Sequence, residues 1–292
     1  MVQGLTGQVV QVITADDIKL SGIFVKGKKN KPAVIHIHGF EGDFFTNTFV
    51  HKIAEKLNDN GISFLPVQTR GMANDYTLDT SKYGAGKRIG AHLERLEEAY
   101  LDIDAWVKYL VDQGYTDIIL QGHSLGTFKI VRYLFEGKYA NLIKKLILLC
   151  PFDKTAGIYQ FIQDKWKENI KIAEQKVKVG EGTQIIPKGW DEIELSYQSY
   201  LSWYQDNDLS RIFDYYDKNN KLPVLNKIKI SVKVIVGTKD EFFHMSDPEH
   251  KEEAMATLKK NIKNFTGVFI KNSQHGFVGF EDIVASEVLN FI

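Results

Sequence analysis

The feature that most limits the fold is a set of apolar runs too short to be helices, each closed by a turn residue or a change of pattern. Ala33–His38 (AVIHIH) stops at Gly39, and Lys145–Leu149 (KLILL) stops at Cys150-Pro151. Both are short and nearly continuous in apolar residues, as a strand buried on both faces should be. Ile62–Gln68, Ile118–Gln121, Val232–Val236 and Val268–Ile270 read as further strands. Helical spacing falls between them, in Phe49–Asn58 (which stops at Asn60-Gly61), His92–Val111, Thr127–Phe135, Glu249–Leu258 and Asp282–Phe291. Upstream, Gln8–Thr14 and Lys19–Val25 alternate and are split by Asp16-Asp17, a hairpin signal. The whole predicts an α/β fold with a mostly parallel central sheet and helices on both faces.

The rhythm breaks between Pro151 and about Lys229. Three of the four tryptophans (Trp166, Trp190, Trp203) lie there with Tyr197, Tyr200, Tyr204 and Tyr215, and Gln184–Ile186 reads as a short hairpin arm. The expected organisation is a core of residues 1–151 and 230–292 with an inserted cap at 152–229.

Composition removes several classes of function. Lysine plus arginine (37) equals aspartate plus glutamate (37), so the basic footprint of a nucleic-acid binder is missing. Cys150 is the only cysteine, which excludes an intrachain disulfide and a cysteine metal cluster. No stretch of 18 consecutive apolar residues occurs, so no membrane span is expected. Met1–Leu5 shows no basic region leading into an apolar run, and a cytoplasmic location is the expectation. The oligomeric state is left open.

In a parallel sheet the chemistry belongs on loops that follow the carboxyl ends of strands. Gly122-His123-Ser124-Leu125-Gly126 sits there, directly after one strand and before a helix. A G-x-S-x-G pattern in that context places a serine on a sharp turn above the sheet, with the free N–H groups of the following helix beside it. A serine hydroxyl is a weak nucleophile and needs a base within hydrogen-bond reach. His275 follows the last strand and is the leading candidate; His244 and His250 are the others downstream. Asp240 closes the strand Val232–Val236 and would orient the base, with the adjacent Glu241 as the alternative. Two donors are needed for a developing oxyanion, and the backbone N–H groups of Phe40 and Leu125 are the expected pair. His38 is expected to brace the Phe40 loop rather than react. Lys129, one turn into the helix after Ser124, is expected to snorkel to solvent in preference to pairing with a carboxylate such as Glu94. Arg70, after Ile62–Gln68, is expected to form a structural salt bridge in preference to binding an anionic group.

Together these residues resemble the α/β-hydrolase fold family, in its capped esterase and lipase branch. The resemblance rests on His38-Gly39-Phe40-Glu41-Gly42, on Gly122-His123-Ser124-Leu125-Gly126, on Asp240 and on Ser273-Gln274-His275-Gly276, in that order, and spans nearly all the chain outside 152–229. Gly84–Trp106, with Glu94, Asp102 and Asp104, is also similar to a subgroup of bacterial hydrolases and fungal siderophore esterases. The likeness implies hydrolysis of an ester, thioester or amide of a small molecule through an acyl-enzyme on Ser124, His275 and Asp240, without a cofactor. A serine at the elbow separates the chain from the haloalkane dehalogenase and epoxide hydrolase branches, which carry aspartate there. A peptidase or acyltransferase on the same triad, and a ligand-binding protein that has lost the chemistry, are the competing readings.

Overall fold

The computed structural model describes residues 5–78, 80, 86–156, 162, 165–215, 221–243 and 248–292. Its centre is an eight-stranded sheet built from β1 (Gln8–Ile13), β2 (Lys19–Phe24), β3 (Ala33–Ile37), β4 (Ser63–Val67), β7 (Ile118–His123), β8 (Ile143–Leu149), β9 (Ser231–Gly237) and β10 (Phe265–Ile270). The order is β1-β2-β4-β3-β7-β8-β9-β10. β1 and β2 pair antiparallel, as does β2 with β4, and every pair from β4 to β10 is parallel.

The apolar runs divide between the two faces with a period of two, as the pleat requires. Ala33, Ile35 and Ile37 of β3, Leu146 and Leu148 of β8, and Val232, Val234 and Val236 of β9 join one core. Val34, Ile147, Leu149 and Ile235, on the same strands, join the other. The second core is roofed by α1 (Thr48–Asp59) and α7 (Glu281–Leu289), which pack on one another through residues such as Phe49, Ile53, Leu57, Val284 and Val288. The first is roofed by α2 (Ala99–Asp112), α3 (Leu125–Glu136) and α6 (Pro248–Asn261). Each fully buried leucine, isoleucine or valine contributes about 1.5–3 kcal/mol, so both faces of the strand runs count toward stability.

Between β8 and β9 the described residues add no strand to this sheet. They form α4 (Trp166–Lys178), α5 (Tyr197–Tyr204), short 3-10 turns and a single antiparallel bridge, Ile185 to Ser196. This segment is fastened to residues 92–97. Ser196 N and Ser199 Oγ donate to the carbonyl of His92 (2.7 and 2.8 Å), Gln198 Nε2 donates to that of Leu93 (2.9 Å), and Leu96 N donates to Ser202 Oγ (2.6 Å).

Those bonds explain one departure from expectation. The helical pattern from His92 becomes an α-helix only at Ala99, because the carbonyls of His92 and Leu93 and the N–H of Leu96 bond across to the 196–202 segment instead of along a helix; Leu93 and Leu96 are still buried, so their spacing is kept. A second departure is the hairpin β5 (Tyr76–Leu78) and β6 (Lys87–Ile89), whose short, largely exposed strands carry no alternating signal.

Lys129 is the third. It does not reach solvent: its side chain is 0% exposed, and Nζ lies 2.7 Å from Oε1 of Glu94, itself 1% exposed. Arg70 is likewise consumed internally, bonded to Asp102 (2.9 Å), Glu98 (2.8 Å) and Asp16 (3.0 Å). Breaking a buried pair leaves an uncompensated charge, which costs about 3–5 kcal/mol. Lys129→Met is therefore expected to lower the unfolding free energy by about 3 kcal/mol. Adding Glu94→Gln should recover most of the loss, as urea denaturation of the single and double variants will show.

Candidate active site

β3 and β7 are neighbours whose outgoing connections run in opposite directions, β3 toward β4 and β7 toward β8. A crevice opens at the carboxyl ends of strands where the order reverses in this way. The loops leaving β3 and β7 there are His38–Gly42 and the turn at Ser124.

Ser124 holds φ 52° and ψ −125°, a conformation that L-residues resist at a cost of about 1–3 kcal/mol. Surrounding contacts over-determine it. Ser124 N donates to the carbonyl of Leu149 (2.9 Å), and its own carbonyl accepts from Thr127 N (3.0 Å) and Thr127 Oγ1 (2.6 Å). A Cβ on Gly126 would stand 2.3 Å from the carbonyl oxygen of Ile37, so only glycine lets α3 begin this close to β3. One on Gly39 would stand 2.8 Å from Ser124 Cβ, so glycine also lets the β3 loop lie against the serine.

That loop is braced by His38, buried, whose Nε2 accepts from Thr69 N (3.2 Å) and whose Nδ1–H donates to the carbonyl of Gly39 (2.8 Å). Burial, reinforced by the charge of Lys129, pushes the pKa of His38 down to about 3, so the ring stays neutral and keeps both bonds. Neither the backbone N–H of Phe40 nor that of Leu125 donates a hydrogen bond among the described residues. Leu125 follows Ser124 directly, and Phe40 follows Gly39, whose backbone lies against Ser124.

His275 and Asp240 meet. Imidazole Nδ1 lies 2.9 Å from Asp240 Oδ1, and that oxygen also accepts from Phe242 N (2.8 Å) and Phe243 N (3.1 Å). Asp240 is fully buried. Burial raises its pKa, but the hydrogen bond and charge of His275, with the Cys150 thiol and the Phe242 amide, outweigh that and hold it at about 2. Glu241 instead accepts from the backbone N–H of His275 at 3.4 Å and does not reach the ring. His250 lies on α6, and His244 falls outside the described residues. Among the described residues no hydrogen bond joins the Ser124 hydroxyl to the His275 ring, a contact that commonly tightens only when substrate is bound.

Two residues at the site carried no functional signal in the sequence. His123, next to Ser124, sets Nε2 3.0 Å from the carbonyl oxygen of His275, and Cys150 sets Sγ 3.6 Å from the same atom. The ligand atoms of His123, Cys150 and His275 lie within 4.8 Å of one another. Their chemistry would suit a soft metal, but His123 and Cys150 are already engaged on a carbonyl, and burial and the Asp240 carboxylate hold the Cys150 thiol well above its ordinary pKa, hence protonated.

A series of aromatic contacts connects Phe40 with His275. Phe40 meets Trp203 of α5 edge-to-face (5.4 Å), Trp203 meets Phe152 (6.2 Å), Phe152 meets Phe242 (6.2 Å), and Phe242 meets the His275 ring (4.8 Å). Lys154, buried beneath, donates to the carbonyl of Trp203 and lies over the ring of Phe128.

The family model described as "Protein of unknown function (DUF1749)" matches residues 9–217. The chain belongs to the DUF1749 family. No curated protein matches it by sequence. This DUF1749 chain is similar in structure to Est1E from Butyrivibrio proteoclasticus with ferulic acid bound, at 23% identity over 97% of both chains and a TM-score of 0.63. It is similar to a soluble variant of monoglyceride lipase from Saccharomyces cerevisiae in complex with a substrate analogue, at 17% identity over 100% of this chain and 96% of that one, with a TM-score of 0.65. It also resembles mouse alpha/beta hydrolase domain-containing protein 10, at 13% identity over 98% of both chains and a TM-score of 0.63. The fold of this DUF1749 protein is therefore that of the α/β-hydrolases, and among the described residues no helix is long and apolar enough to cross a membrane.

The Asp240 arrangement has a consequence for acid stability. A carboxyl depressed from 3.8 to about 2 contributes stability that is present above pH 4 and is lost as pH falls through 2. Asp240→Asn is expected to remove roughly 2 kcal/mol at neutral pH and to flatten the fall in stability between pH 4 and 2, measured by denaturation across that range.

Proposed function

We propose that this DUF1749 protein is a serine hydrolase that cleaves carboxylic esters of small or medium-sized molecules through an acyl-enzyme. The reading is carried by one observation: a serine in a strained strand-to-helix turn stands at the same end of the sheet as a buried carboxylate that orients an imidazole. In this mechanism His275 removes the proton from Ser124 Oγ as it attacks the ester carbonyl, and the oxyanion is received by the N–H groups of Phe40 and Leu125. Protonated His275 then gives its proton to the leaving alkoxide. A water, activated by the same imidazole, releases the acid and restores the hydroxyl. Asp240 keeps the proton of the neutral ring on Nδ1, leaving Nε2 free to act as base, and stabilises the imidazolium.

Residues 152–229 serve as the cap in this account. The ring series Phe40, Trp203, Phe152 and Phe242 suits a flat, aromatic acyl group, because aromatic pairs favour offset or edge-to-face contact with one another. Ferulic acid, the molecule bound to Est1E, has that shape, which supports the same substrate class here.

A panel of p-nitrophenyl esters running from acetate to long acyl chains, beside aryl-acid esters, tests this reading. Turnover should fall to background in Ser124→Ala and His275→Ala, by about 10⁴-fold in Asp240→Asn, and by less than about tenfold in Glu241→Gln. Aryl-acid and short-chain esters should exceed long-chain ones in kcat/KM. Ester turnover that survives Ser124→Ala, or an equal loss in the Asp240 and Glu241 variants, would contradict the assignment.

A further inference from the structure

We infer that His123 is a positioning residue that fixes the backbone of His275, and so sets the distance between base and nucleophile; this rests on the proposed serine-hydrolase reading. His275 lies on a loop beyond β10, the edge strand, while Ser124 lies beyond β7, three strands away in the sheet. Asp240 grips the ring of His275 and Glu241 accepts from its backbone N–H at 3.4 Å, so the main chain takes a further anchor at its other end.

That anchor is the carbonyl oxygen of His275. It accepts a hydrogen bond from His123 Nε2 at 3.0 Å and faces the Cys150 sulfhydryl at 3.6 Å. His123 is the last residue of β7 and Cys150 follows β8 directly, so side chains at the ends of two adjacent strands converge on one atom. With Asp240 just beyond β9, three consecutive strand ends locate the base.

The chemistry of His123 suits a fixed donor. A carbonyl cannot donate, so the proton must be on Nε2 of His123. Burial, with the neighbouring His275 ring, pushes the pKa of His123 down to about 3, so the ring carries a single proton and the bond does not come and go near neutral pH. Its plane is held by Phe49 (centroids 5.0 Å apart) and Phe277 (6.2 Å), and its centroid lies 4.7 Å from that of His275. Because His123 and Ser124 are consecutive, any movement of the elbow carries the donor with it, and the base follows. Nucleophile and base thus share one frame.

The Phe and Gln variants of His123 separate this role from packing. His123→Phe keeps an aromatic ring against Phe49 and Phe277 without the donor, whereas His123→Gln returns an amide N–H near the Nε2 position. With p-nitrophenyl acetate, His123→Phe is expected to lose about 10–100-fold in kcat, with KM within about threefold of wild type, since small misplacement of reacting groups costs rate rather than binding. His123→Gln should recover most of that loss while its melting temperature stays close to that of His123→Phe. Turnover of His123→Phe within about threefold of wild type, or His123→Gln slowed as much as His123→Phe, would overturn the inference. A wild-type chain without Ser124-dependent turnover would instead bring down the hydrolase reading beneath it.

Discussion

The sheet edge is organised around a backbone conformation that an L-residue resists. Ser124 sits at positive φ because β3, β7 and β8 close around it: Leu149 takes its N–H, Thr127 takes its carbonyl, and Ile37 leaves no room for a side chain at Gly126. Relaxing that turn would withdraw the serine from the crevice and redirect the first N–H groups of α3. The strain is local, but what sustains it is the parallel sheet, whose strands are buried on both faces and have little freedom to shift.

Around this turn the protein buries several charged and polar side chains. Lys129 pairs with Glu94, Arg70 with Asp102, and neutral His38 ties the β3 loop to Thr69. Ion pairs of this kind are weak evidence for stability, because desolvation offsets much of the attraction. Their geometric effect is clearer. They link α3 to the 92–98 segment and that segment to β4, and the same segment accepts the hydrogen bonds of α5. Trp203, on α5, is thereby held against Phe40.

Much of the fold was legible in the chain because burial on both faces leaves a plain mark. AVIHIH and KLILL read as strands because they are short, nearly continuous apolar runs, and the motif at Ser124 lay where a strand gave way to a helix. The positions of Asp240 and His275 followed from the same logic of strand ends. Other features left no local trace. The start of α2 is displaced because Leu93 and Leu96 keep helical spacing while the carbonyls of His92 and Leu93 and the N–H of Leu96 bond elsewhere. Burial of Lys129 depends on Glu94, which is distant in sequence and brought near only by the fold. His123 looked like a variable position of the motif. Its donor role appears only once His275, 152 residues away, is placed against it. The hairpin β5–β6 is short and exposed, so no apolar periodicity announces it.

The central claim is that one hydroxyl, on Ser124, is rendered nucleophilic by this arrangement. Treatment with a fluorophosphonate, followed by digestion and mass mapping of the adduct, tests it most directly. The account predicts a single phosphonyl group on the peptide containing Ser124, formed far more slowly when His275 is replaced by alanine. An adduct on another serine, or an unmodified chain after prolonged exposure, would contradict it.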